Sequence, residues 1–127
     1  DVPWEIGLFA EPSSRVLVYS GVDVRPPAGV SAQVEVVAGT TEPADVLADL
    51  RARHGAQVVS CEGGPTLLHA LLAAELVDDL VLTLAPLLLA GDAPAVVAGD
   101  PLDPPVGLAL ASVHRAEDHL MLRYRRP

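Results

Sequence analysis

The sequence predicts an α/β domain. Three observations carry that prediction. Short β-branched apolar runs alternate with stretches of helical spacing, glycine- and proline-marked turns separate them, and the chain closes on two apolar runs flanking a charged turn. The expected order is β-α-β-α-β, with parallel strands and right-handed crossovers, followed by an antiparallel hairpin.

Each element has a local reason. Asp1 to Gly7 shows no clear periodicity, whereas Arg15-Val16-Leu17-Val18-Tyr19-Ser20 reads as a buried strand. Gly21 and the Pro26-Pro27-Ala28-Gly29 cluster mark the loop after it, and Gln33 to Val37 reads as a second, shorter strand. A helix starts near Pro43, whose φ is preset for a first turn, with Thr41 or Glu42 as cap candidates. Val46, Leu47 and Leu50 form its apolar face. Asp45, Asp49 and Arg53 look outward, with Asp49 and Arg53 spaced to pair, and Gly55 is the stop.

A strand is expected over Gln57 to Cys61, a helix from Pro65 to about Glu75, and a strand over Leu80 to Ala85. Leu67, Leu68, Leu71, Leu72 and Leu76 make that helix apolar on most of its surface. It is expected to be buried between the sheet and a further element or a second subunit. Gly91 to Gly107, rich in proline, aspartate and glycine, reads as a long surface loop. Leu108 to Val113 and Leu120 to Tyr124, around Arg115-Ala116-Glu117-Asp118, read as the closing hairpin.

The 127 residues fit one domain with no internal linker. The net charge is −9, and all eight cations are arginine. With only Trp4, Phe9, Tyr19 and Tyr124 as aromatics, neither a basic nucleic-acid surface nor a base-stacking platform is expected. The apolar stretch Leu80 to Ala90 is broken by Thr83 and Pro86 and is too short to span a membrane. The single cysteine and the lack of a signal-like segment make a reducing cytoplasm the default.

The most informative feature is Cys61-Glu62-Gly63-Gly64-Pro65-Thr66, between the expected strand and the apolar helix. Glycines at such a turn let a ligand approach bare backbone N–H groups. The helix start adds unpaired donors and the positive end of its dipole, so a phosphate or pyrophosphate is the natural guest. Glu62 would direct a carboxylate into the same crevice. Its structural alternatives are capping the next helix or accepting a bond from an arginine. Cys61 reads as a small buried apolar residue, because no histidine is placed to activate it. His54, His69, His114 and His119 show no metal spacing, so no metal site is expected, and His69 reads as a packing residue. Asp78-Asp79 reads as a cap at the break before the next strand, and Arg123, Arg125 and Arg126 as a solvated chain end. Ser20-Gly21 follows a buried strand and is a candidate second contact to a dinucleotide, with an ordinary turn as its alternative. No Gly-x-Gly-x-x-Gly occurs.

Glu62-Gly63-Gly64-Pro65-Thr66-Leu67-Leu68, then Leu76-Val77-Asp78-Asp79-Leu80, then Leu82-Thr83-Leu84-Ala85-Pro86, resembles the C-terminal reductase domain of the bacterial riboflavin-biosynthesis proteins. Leu120-Met121-Leu122-Arg123-Tyr124 is similar to that family's closing strand. The resemblance implies a dihydrofolate-reductase-like mixed sheet flanked by helices. It implies NADPH-dependent reduction of the ribosyl group of 5-amino-6-(5-phosphoribosylamino)uracil or a related phosphorylated pyrimidine. By the same resemblance Gly63 and Gly64, with the helix start Pro65, Thr66 and Leu67, approach the cofactor phosphates. Glu62 faces the reacting region, and a homodimer is expected. The resemblance spans residues 1–127 but only about the C-terminal half of the family's domain, without its Ser-Leu-Asp-Gly-like first strand. The chain alone is therefore expected to be inactive. The alternative is a non-catalytic nucleotide-binding or dimerisation module derived from the same fold.

Overall fold

The computed structural model describes residues 2–127. The chain divides into two compact units, one running to Gln57 and one from Val58 onward.

The first unit carries α1 (Gly7–Ala10), β1 (Arg15–Ser20), β2 (Gln33–Ala38) and α2 (Pro43–His54). β1 and β2 pair in parallel, from Arg15 opposite Gln33 to Ser20 opposite Ala38. α1 had no periodic signal. It is a single turn that buries Phe9 beside Val16 and Ala32, with Val2, Trp4, Val18, Val30 and Val34 packed around them. The Trp4 and Phe9 rings meet at 4.8 Å and 54°, a tilted aromatic contact. The Phe9 carbonyl accepts bonds from the Ser31 and Ala32 N–H groups, which ties α1 to the start of β2.

α2 begins and ends as the sequence predicts. Pro43 occupies its first turn, and Gly55 at φ 67° closes it, with its N–H bonded to the Arg51 carbonyl and that of Ala56 to the Leu50 carbonyl. Glu42, one of the two expected cap residues, occupies the N-cap position but makes no side-chain cap bond. The Thr40 hydroxyl accepts from the Glu42 N–H at 3.2 Å and donates to Asp45 at 2.9 Å. The expected Asp49–Arg53 pair forms at 3.3 Å, but Asp49 does not simply face solvent. It also accepts from the Tyr19 hydroxyl at 2.8 Å, while Arg53 reaches Glu35. These bonds fasten α2 to both strands. Desolvation, then the bond to Asp49, raises the Tyr19 pKa.

The second unit carries α3 (Pro65–Ala73), β3 (Asp79–Leu84), β4 (Ala109–Ala116) and β5 (His119–Arg125). Its sheet has the order β3-β5-β4 and both pairings are antiparallel. The closing hairpin is as expected, turning at Glu117 (φ 54°) and Asp118 with a bulge between Leu110 and Ser112. Two expectations fail. β3 is not a parallel strand, because its ladder is made with β5. Gln57 to Cys61 is no strand at all: Val58 is 89% exposed, and the segment joins no ladder among the described residues. A β-branched run is extended by itself but becomes a strand only when a neighbour takes its N–H and C=O groups.

The register puts Leu80, Leu82 and Leu84 opposite Tyr124, Leu122 and Leu120, an apolar face continued by Leu110 and Val113. The other face carries Asp79, Arg123 and Arg125. Asp79 is not a cap before β3. It accepts from Arg123 at 2.8 and 2.9 Å and from Arg125 at 3.0 Å. These bonds, from Arg123 above all, hold its carboxyl down at about 2. The terminal arginines are therefore not a free solvated end, and Arg126 is also paired, with Glu75 at 2.7 Å. α3 is less buried than its leucines suggest: Leu72 is enclosed, but Leu67 remains 46% exposed.

Candidate functional site

The Glu62–Thr66 turn owes its shape to what its residues lack. Gly64 is the residue before α3 and makes no side-chain cap bond, and Pro65 at the first helical position has no N–H to satisfy. The first helical bond runs from the Leu68 N–H to the Gly64 carbonyl at 3.1 Å. The Thr66 and Leu67 N–H groups thus have no partner within the helix, and they sit at the positive end of its dipole.

The two glycines do different work. A Cβ at Gly63 would lie 2.7 Å from Leu67 Cδ2 and 3.3 Å from Cys61 Sγ, so Gly63 is set by local packing. A Cβ at Gly64 would meet nothing within 4 Å, so the backbone there is open to an approaching group. Glu62 is exposed, and its Oε1 accepts from the Ser60 hydroxyl at 3.4 Å. It does not cap α3. Cys61 is exposed, contrary to its reading as a buried apolar residue, because the segment before it has no strand neighbours to bury it.

The second unit brings together Glu62, Gly63, Gly64, Pro65, Thr66 and Leu67. Ser20 belongs to the first unit, at the end of β1. Its hydroxyl donates to the Val22 carbonyl at 2.9 Å and accepts from the Val22 N–H at 3.2 Å, forming a local turn.

Two clefts, of about 470 and 440 Å³, lie against α3. His69, Leu72, Asp100 and Leu102 line both, and neither includes Glu62, Gly63 or Gly64. The N–H groups without a helical partner lie at the turn and not in these clefts. The sequence alone makes His69 a packing residue. Here its Nε2 donates to the Asp100 carbonyl at 2.7 Å, a contact across 31 positions that no local spacing signals. No group of three or more His, Cys, Asp and Glu side chains that could hold a metal occurs among the described residues. No helix among them is long and apolar enough to cross a membrane.

Residues 11–122 match the RibD C-terminal domain family. The chain belongs to that family. No protein of curated function matches it. Among solved structures, Acinetobacter baumannii RibD is similar with a TM-score of 0.77 at 21% identity, over 99% of this chain and 35% of that one. A Shewanella sp. PV-4 protein named for riboflavin biosynthesis matches with a TM-score of 0.69 at 26% identity, over 100% of this chain and 65% of that one. A pyrimidine reductase-like protein of Corynebacterium diphtheriae matches with a TM-score of 0.67 at 19% identity, over 98% of this chain and 56% of that one. The chain thus spans about a third of the length of the RibD structure it matches. The expected fold class stands: a dihydrofolate-reductase-like α/β fold with mixed pairing and a C-terminal antiparallel hairpin.

Proposed function

We propose that this chain forms the cofactor-phosphate side of an NADPH-dependent reductase of the riboflavin-pathway type. Its substrate is a phosphorylated aminopyrimidine whose ribosyl group becomes a ribityl chain. Family membership supports a reductase-type role in riboflavin biosynthesis. The observation that carries the finer reading is the uncapped start of α3, with the open backbone of Gly64 before it.

The turn fits a dinucleotide phosphate in the chemistry of its donors. Gly64 leaves room at the backbone, and the Thr66 and Leu67 N–H groups offer uncommitted bonds strengthened by the helix dipole. Gly63 keeps the turn tight against Leu67, and Pro65 fixes the helix entry. The nicotinamide would supply the hydride. Glu62, next to the turn, supplies a carboxylate that orients the sugar hydroxyls of the substrate through hydrogen bonds, without contributing to phosphate affinity.

The reading also holds that these residues do not suffice for turnover. Positioning of reactants can be worth about 7–11 kcal/mol of barrier. Val58 to Cys61, which leads into Glu62, has no ladder to hold it. The 127-residue chain should therefore bind NADPH weakly and show no reductase activity. Calorimetry with NADPH tests the first statement, and loss of NADPH absorbance with the aminopyrimidine ribosyl phosphate tests the second. Failure to bind any NADPH would remove the cofactor assignment, and steady turnover would show that the site is complete within this chain.

A further inference from the structure

His69 lies on α3 one turn beyond the candidate phosphate-binding start. Its role as a packing residue does not account for three observations. Its Nε2 lies 2.7 Å from the Asp100 carbonyl, which can only accept, so the ring carries its proton on Nε2 and donates. The backbone at Gly99 lies so close to the ring that a Cβ there would fall 2.5 Å from His69 Cγ and 2.6 Å from Cδ2 and Nδ1. One residue earlier, the Ala98 N–H donates at 3.2 Å to the carbonyl of Pro65, the first residue of α3. The long loop after β3 is thus held to the first two turns of α3 at three successive residues. Only a glycine permits the middle one.

We propose that His69 is a positioning residue. It pins the Ala98–Asp100 segment of the loop onto the start of α3, so that loop order and ligand binding at the Gly64–Leu67 turn are coupled. The physical reason is economy of ordering. A loop of this length has many conformations of similar energy, and two hydrogen bonds plus a ring-on-backbone contact select one of them. The Ala98–Pro65 bond makes the loop part of the same turn that presents the free N–H groups. A ligand that orders the turn therefore orders the loop, and a loop already docked lowers the ordering cost of binding. This coupling rests on the proposed cofactor site, whereas the brace itself does not.

The test uses the whole chain with His69→Leu, His69→Gln and Gly99→Ala, the last also in a His69→Ala background. Leucine keeps apolar bulk but has no donor, and glutamine offers an amide N–H at a similar reach. Amide hydrogen exchange at Ala98 reads the brace, exchange in β5 reads the fold, and calorimetry with NADPH reads the coupling. We expect exchange at Ala98 to quicken about tenfold in His69→Leu, as for loss of one net hydrogen bond, with β5 unchanged. His69→Gln should restore most of the protection. NADPH affinity should fall with His69→Leu and recover with His69→Gln. Gly99→Ala should expose Ala98 in the wild-type background but add little in a His69→Ala background, where the ring is gone. Unchanged Ala98 exchange in His69→Leu, or equal behaviour of the Leu and Gln variants, would overturn the brace. Faster exchange with unaltered NADPH affinity would overturn the coupling. If the wild-type chain binds no NADPH, the cofactor assignment and the coupling fall together, and the exchange comparison alone still decides the brace.

Discussion

The paired substitutions Gly63→Ala and Gly64→Ala separate packing from binding at one turn. Each adds a single methyl group to adjacent positions. At Gly63 that methyl would meet Leu67 Cδ2 at 2.7 Å and Cys61 Sγ at 3.3 Å, so something must move. Overpacking by a methyl group costs about 1–3 kcal/mol in a closed core. Leu67 is 46% exposed and the clashing atom is the far end of its side chain, so the low end applies. We expect Gly63→Ala to lose about 1 kcal/mol and to melt a few degrees earlier. At Gly64 nothing lies within 4 Å of the new methyl, so stability should stay within about 0.5 kcal/mol of wild type. The methyl would instead stand where a phosphate must approach the backbone. Loss of one hydrogen bond to a charged group is worth about 1.5–3 kcal/mol, or roughly a ten- to hundredfold weaker NADPH complex. Thermal unfolding followed by circular dichroism and titration calorimetry with NADPH read the two effects separately. If Gly64→Ala binds NADPH as well as wild type does, the turn is not the phosphate site. If both variants lose the same stability, the contrast drawn between the two glycines is wrong.

Other expectations follow from named residues. In the complete reductase domain, Glu62→Gln should lower kcat while leaving the NADPH dissociation constant within error; an unchanged kcat would make Glu62 a surface residue of the turn. Asp79 is held at about 2 by Arg123 and Arg125, below its unfolded value. Its contribution to stability is therefore fully present above about pH 4 and is lost as pH falls toward 2. Asp79→Asn should flatten that part of the acid limb in melting temperature against pH, and an unaltered limb would contradict the pairing. Leu84, Leu87, Leu88, Leu89, Leu110 and Val113 are all exposed, and on that ground we propose a homodimer. Light scattering at micromolar concentration should read about twice the monomer mass, and a clean monomer would refute it.

Elements stabilised by bonds a few residues apart were legible from the sequence alone. α2 could be bounded from Pro43 and Gly55 because a helix start and stop are set by local φ preferences and by carbonyls within one turn. α3 followed from Pro65 after two glycines, and the closing hairpin from two apolar runs about a charged turn. The turn at Glu62 to Leu67 was readable for the same reason, since its chemistry lies in consecutive residues.

Everything that depended on a distant partner was decided by tertiary structure. Val58 and Val59 have strand propensity, yet propensity does not supply a neighbour, and the segment stays unpaired. β3 has the composition of a buried parallel strand, yet its direction relative to the sheet was set by pairing with β5, some forty residues later. Local sequence makes Asp79 look like a cap because its arginines are adjacent only across the β3–β5 ladder. Gly99 carries no local signal as a loop glycine, and its need for a bare Cα arises only because His69 stands against it. Local bonds follow from the order of residues, whereas ladders, cross-strand ion pairs and close backbone approaches exist only once remote segments have met, and no short-range pattern encodes which ones will.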